Sequence, residues 1–193
     1  MSLLTGFAQP IEQAQHAFRL MLKALSEPGV TVTLGDGPVW PPLNAADTAA
    51  LLTLADGETP IHLCPALHCE QVLTNIRFHT GAPLADTPAA IRFALWDGSL
   101  QAADLSQLPY GSDISPEFGA TLLVQVSSLT AGAPLRLSGP GIERQRLISP
   151  ELPAALRDYL LERPHRFPLG IDVLLTCGEQ LIAIPRTTHL EAC

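Results

Sequence analysis

The chain has 193 residues, 47% of them apolar but only 5% aromatic, and a formal net charge of −8. This is enough for one domain with a sizeable aliphatic core, since a globule of this size buries roughly 70% of its unfolded surface. The acidic balance argues against non-specific binding to nucleic acid or to an anionic membrane, and no apolar run reaches the ~18 residues that a membrane helix needs. The charge is uneven: residues 1–135 hold 4 basic and 12 acidic groups, while residues 136–193 hold 7 of each. An anionic ligand would therefore meet the C-terminal third, helped by Arg77 and His79. Cys64, Cys69, Cys177 and Cys193 lack framework spacing. Met1 to Phe18 lacks the basic start and apolar core of a leader peptide. The expectation is a cytoplasmic protein with reduced thiols.

In chain order, Ile11, Ala14, Phe18, Met21, Leu22 and Leu25 fall on one helical face, taken as the core-facing one. Pro10 stands in the first turn and Ser26-Glu27-Pro28-Gly29 is the stop. Val30 to Leu34 reads as a half-buried strand, followed by an extended connection through Trp40-Pro41-Pro42. Asn44 caps a helix running to about Ala55, with Asp47 three residues on. That helix is apolar nearly all round, which predicts burial. Ile61 to Cys64 is a strand. Cys69 to Phe78 is a helix that His79-Thr80-Gly81 closes. Ala90 to Trp96 is a third strand, Ser99 to Leu108 a short helix, and Pro109 to Gly119 a surface loop. Thr121 to Val126 and Leu135 to Leu137 are strands, and Glu151 to Glu162 is the last helix. Ile171 to Cys177 and Leu181 to Pro185 form a hairpin around Gly178-Glu179-Gln180. Both parities of its first strand are apolar, so both faces are covered. The fold class is α/β: three layers, a mixed β-sheet flanked by helices.

Polar residues leaving the last strand draw attention to one end of the sheet. Asp172 interrupts an apolar run and needs a partner. Arg186, Thr187, Thr188 and His189 follow the final strand, at the edge where open α/β sheets hold ligands. Arginine offers a bidentate fork to phosphate or carboxylate, and threonine adds uncharged donors. The competing reading is an ion pair of Arg186 with Asp172 or Glu191, and for Arg77 a cation meeting the helix macrodipole. His165 and Arg166 share this ambiguity.

His62, Cys64, His68 and Cys69 bring four soft ligands within eight residues, but not at zinc-site spacings, so no metal is expected. Leu137-Ser138-Gly139-Pro140-Gly141-Ile142 lacks the third glycine and helix start of a dinucleotide loop and reads as a tight turn. No nucleophile motif of the G-x-S-x-G kind is present. The single lysine, Lys23, looks like scaffold, which argues against a Schiff base and pyridoxal phosphate.

Seven stretches, taken in order, match a known family: AFRLMLKALSEPG (17–29), LLTLADGETP (51–60), IRFHTGAP (76–83), PEFGATLLVQV (116–126), LRLSGPGI (135–142), RPHRFPLGID (163–172) and AIPRTTH (183–189). The chain resembles the PhnH family, a component of the carbon–phosphorus lyase system for phosphonate use. The resemblance implies a fold similar to the large domain of pyridoxal-phosphate-dependent transferases, without the cofactor, in a single domain spanning residues 1–193. It also implies a homodimer that joins the G, I and J subunits of that system, with the L subunit as a functional partner. The family supports the step in which an alkylphosphonate replaces the adenine of ATP, giving a ribose phosphonate triphosphate. Radical cleavage belongs to the J subunit.

No catalytic residue carries over. Arg77, His79, Asp172, Arg186, Thr187 and Thr188 stand as an anion-binding or interface set chosen on chemistry. Three roles follow. One is an accessory, non-catalytic subunit. The second is a subunit that contacts nucleotide or phosphonate, with Arg186 as the main anion-binding group. The weakest is a freestanding small-molecule transferase.

Overall fold

A computed structural model describes residues 3–193. Met1 and Ser2, the start of the stretch read for a leader, lie outside the described residues.

Among the described residues there are five α-helices and nine strands. They are α1 (Pro10–Ser26), β1 (Thr31–Thr33), α2 (Ala45–Leu54), β2 (Ile61–Leu63), α3 (Glu70–Thr80), β3 (Phe93–Trp96) and α4 (Ala102–Gln107), then β4 (Thr121–Gln125), β5 (Leu135–Ser138), β6 (Arg146–Ile148), α5 (Ala154–Glu162), β7 (Asp172–Cys177), β8 (Gln180–Ile184) and β9 (His189–Ala192). Six strands form a mixed sheet in the order β1-β8-β7-β4-β3-β2. Within it β2, β3, β4 and β7 run parallel, while β8 is antiparallel to β7 and β1 to β8. Helices flank this sheet, with α2 touching α1 and α3, and α4 touching α5. Burial of consecutive residues follows: Leu122, Leu123 and Val124 in β4 and Val173 to Thr176 in β7 are all inside. An unbroken apolar run is what a parallel strand covered on both faces requires.

A second, three-stranded antiparallel sheet, β6-β5-β9, was not expected. Leu135 to Leu137, read as part of the main sheet, pairs instead with Arg146–Ile148 and with the C-terminal strand. Both partners are short and half-exposed, so neither shows the clean period-2 alternation that announces a strand.

The first helix corrects a second expectation. Of the face read as core, Met21 is buried and Ala14 half-buried, but Ile11 is 85% exposed, Leu22 53%, Phe18 48% and Leu25 36%. The buried face is Ala17, Met21 and Ala24, turned toward α2, β1 and β8. Ala17 and Ala24 let the helix backbone approach its neighbours while Met21 fills the space between them, leaving a stripe of large apolar side chains in solvent.

The carboxyl ends of the parallel strands are closed from within. Asn44 caps α2, its side chain accepting from Asp47 N at 2.8 Å, while its own backbone N–H donates to Gln125 Oε1 at 2.7 Å. Thr176 Oγ1 accepts from Asn44 Nδ2 at 3.1 Å and donates to Asp47 Oδ1 at 2.9 Å. Asp47 is fully buried, and its Oδ2 has no partner among the described residues. Desolvation pushes its carboxyl up to about 7, only partly opposed by the Thr176 hydrogen bond.

The folded state thus keeps Asp47 protonated where the unfolded chain ionises it. The stability this contributes is present in full below the unfolded value of 3.8, decays as the pH rises, and is gone above about 7. Asp47→Asn should remove this slope, flattening stability between pH 4 and pH 8 by on the order of a few kcal/mol relative to the parent chain. Urea denaturation of both proteins across that range measures it, and parallel profiles would sink the assignment.

Candidate functional site

Arg186 is the most heavily bonded polar side chain near the proposed site. Its backbone N–H donates to Asp172 Oδ1 at 2.8 Å, Nε reaches Oδ2 at 3.1 Å and Oδ1 at 3.3 Å, and Nη2 reaches Oδ2 at 2.7 Å. Nη1 donates to the carbonyls of Pro116 at 2.9 Å and Pro168 at 3.2 Å. Every guanidinium nitrogen is therefore engaged inside the chain. The pair is largely buried, with side-chain exposures of 13% and 25%. Two glycines make room for it. A Cβ on Gly119 would lie 2.8 Å from Arg186 Nη1 and 2.6 Å from Gly170 O, and Gly170 itself has φ +135. The Phe-Gly of 118–119 and the Leu-Gly of 169–170 are backbone requirements of one buried fork.

This node lies at the opposite edge from the one the sequence suggested. The ligand-holding edge of an open α/β sheet is at the carboxyl ends of the parallel strands. Because β8 runs antiparallel, its exit places Arg186 beside Asp172, at the amino end of β7.

Around the node lie Arg163, His165, Tyr110 and Tyr159. Arg163 ends α5 in the left-handed region at φ 42, and its Nη2 donates to Pro185 O at 3.1 Å while Nε finds no partner among the described residues. Burial lowers its pKa, and the nearby Tyr159 and Asp172 partly restore it. Pro185 O also accepts from Thr188 N at 2.9 Å. Thr188 is buried with its hydroxyl unpartnered among the described residues, whereas Thr187 is only half-buried. His165 stacks on Tyr110 with ring centroids 3.6 Å apart.

Arg77 and His79 do not join this group. They sit in the last turn of α3, where His79 Nε2 contacts Leu4 O at 3.0 Å and its ring stacks on the buried Trp40. Trp40 in turn donates Nε1 to Thr5 O at 3.0 Å, so the pair straps down the N-terminal segment. Arg77 is exposed beside Leu3, Glu70, Leu73, Thr74 and Phe78, in a shallow groove.

The soft-ligand stretch separates as well. Cys64 is buried, His68 exposed, and His62 stacks on Trp96 at 4.8 Å. Among the described residues no three His, Cys, Asp or Glu side chains converge as metal ligands do. His62 and Trp96 instead line a cavity of about 410 Å³ that sequence reading missed, because its wall is assembled from α4 and the 85–91 connection. The glycine turn at 139–141 is a packing device. A Cβ on Gly141 would lie 2.0 Å from Ser26 O, so the turn abuts the stop of α1.

Removing the fork should unfasten three loops together. Arg186→Ala leaves the largely buried Asp172 without its cation and Pro168 O without its donor, and should cost about 3 kcal/mol. Arg186→Lys, which cannot fork, should recover only part of that. Gly119→Ala should lose about 1–3 kcal/mol through the same contact. Chemical denaturation gives all three values, and parent-like stability of Arg186→Ala would overturn the structural role.

Comparison with known proteins agrees with the motif reading. Residues 5–191 match the family described as bacterial phosphonate metabolism protein (PhnH). The chain is 37% identical over 188 residues to the "Alpha-D-ribose 1-methylphosphonate 5-triphosphate synthase subunit PhnH" of Rhizobium meliloti (strain 1021), covering 96% of this chain and 94% of that protein. It is 33% identical over 179 residues to the "Putative C-P lyase subunit protein HtxG" of Stutzerimonas stutzeri, covering 92% of this chain and 85% of the relative. Matched over nearly its whole length, the chain belongs to the PhnH family of bacterial phosphonate metabolism proteins.

Proposed function

We propose that this chain is an accessory, non-catalytic subunit of the assembly that makes an alkylphosphonate ribose triphosphate from ATP and an alkylphosphonate. The observation that carries this is the fate of Arg186. The strongest anion-binding group in the family-matching stretches has every guanidinium nitrogen committed to Asp172, Pro116 and Pro168. On this reading Asp172, Arg186, Thr187 and Thr188 hold the fold and its loops, His79 anchors the N-terminal segment, and the exposed Arg77 belongs to a contact surface. The name of the Rhizobium relative, that of a synthase subunit, supports the role.

The same reading places the chain in the cytoplasm as a single domain akin to the large domain of pyridoxal-phosphate-dependent transferases. Its one lysine, Lys23, supports a fold without the cofactor: it pairs with Glu27 at 2.6 Å on the exposed end of α1. No described helix is long and apolar enough to cross a membrane.

As partners the reading names a second copy and the G, I and J subunits, with the L subunit acting alongside. The exposed stripe of α1 suits the second copy. Ile11, Phe18, Leu22 and Leu25 recur at intervals of seven, four and three, the spacing of a helix–helix seam. An antiparallel pairing would bring the acidic first turn, Glu12, toward the basic last turn of the partner helix, and would oppose the two macrodipoles.

Native mass spectrometry of the chain, alone and co-expressed with the G, I and J subunits, tests the role. The expected result is a dimer that enters a larger complex. Leu22→Glu should turn the dimer into a monomer that still folds, because that side chain faces water in the single chain, with a melting temperature lowered only by the loss of association. A parent chain that stays apart from the other subunits, or that turns over nucleotide and phosphonate alone, would overturn the accessory role. A Leu22→Glu dimer would move the seam elsewhere.

A further inference from the structure

The cavity beside the edge strand β2 has a chemistry of its own. Its floor is the stacked pair His62 and Trp96, with ring centroids 4.8 Å apart and planes 26° from parallel. Its rim carries Asp86, Thr87, Asp104 and Gln107, and no lysine or arginine lines it. At about 410 Å³ it falls in the range of small-molecule sites, which combine an apolar body with a few placed polar groups.

Each lining group limits the ligand. Two carboxylates and no cation repel phosphate, sulfate and carboxylate groups. An aromatic floor favours a flat ring over a sugar or an aliphatic chain. Burial lowers the pKa of His62, with Asp104 pulling the other way and the nearby His68 adding to the depression. A neutral imidazole presents a π face to a ring stacked above it, without the charge that would bind Asp104 and close the site. Asp104 spends Oδ2 on the backbone N–H of Gln101 at 2.9 Å, and its Oδ1 accepts no hydrogen bond among the described residues. An acceptor of full negative charge beside an aromatic floor selects a ring that bears N–H donors.

We infer that this cavity binds the free base of an aminopurine, stacked on the outward face of His62 with Trp96 behind it, and with its exocyclic amine donating to Asp104. This site is separate from the Arg186 node and does not depend on the accessory-subunit reading. Failed assembly would leave it standing, and failed base binding would leave that reading standing.

Titration of the full chain with adenine and with hypoxanthine tests it. The two rings have the same shape, but hypoxanthine has a carbonyl where adenine has the amine. Tryptophan fluorescence is the first readout, since Trp96 lines the cavity while Trp40 is buried against His79 elsewhere. Adenine should give saturable quenching and bind at least about tenfold tighter than hypoxanthine. Asp104→Asn retains an acceptor for Gln101 N, so the helix cap survives, but it should erase that preference. Gln107→Trp, at an exposed position of α4, should fill the mouth and abolish binding of both bases without unfolding the chain. Absence of saturable binding by either base would overturn the assignment. So would equal affinity for the two bases in the parent chain, or displacement of adenine by inorganic phosphate.

Discussion

One buried guanidinium organises this molecule. Arg186 draws the loop before β4 (through Pro116), the loop before β7 (through Pro168) and the first residue of β7 (Asp172) onto the exit of β8. Placing a carboxylate and a guanidinium out of water is costly, and such a pair persists only with good geometry and satisfied donors. Both conditions are met here. The fork is bidentate, and Nη1 donates to the backbone carbonyls of Pro116 and Pro168. Three of the seven family-matching stretches, 116–126, 163–172 and 183–189, meet at this one group. Two more, 17–29 and 135–142, meet where Gly141 abuts Ser26 O and Arg146 Nη1 donates to Pro28 O at 2.6 Å. What these stretches encode locally is close backbone approach.

That explains which parts of the fold were legible in the sequence. Helix ends were, because Asn44 and Gly81 act on their own helix termini. So were β4 and β7, where consecutive apolar residues require cover on both faces. The pairing of Asp172 with Arg186 could be named as an alternative, but its edge could not be assigned. Strand direction decides the edge, and a hairpin reverses direction within two residues. β6 and β9 escaped because each is a short, half-exposed strand whose stability comes from β5 and not from its own pattern.

The misreading of α1 has a different cause. The helix carries two apolar faces, one of large side chains at 11, 18, 22 and 25 and a narrower one of Ala17, Met21 and Ala24. Summed hydrophobicity favours the large face. Packing against α2 and β8 favours the narrower one, since alanines let backbones come close and keep dispersion contacts dense. A helix that uses its narrower face inside the chain leaves its large face for something outside it. Exposed apolar patches of this kind mark interaction sites more often than they mark accident.

The two edges where an α/β sheet could hold an anion are both filled by the chain itself. At the carboxyl edge Asn44, Gln125, Thr176 and Asp47 bond one another, and Asp47 adds a buried carboxyl where a phosphate would need a donor. At the amino edge Arg186 is spent on Asp172. The cavity at His62 and Trp96 is lined by the carboxylates of Asp86 and Asp104, and residues 1–135 carry 12 acidic groups against 4 basic ones. Neither sheet edge nor that cavity offers the several converging cations or the metal ion that the oxygens of a triphosphate need. Within the proposed role, those cations must come from another subunit. This chain's contribution is then a rigid frame, an apolar helix face on which to assemble, and a pocket suited to an uncharged aromatic base.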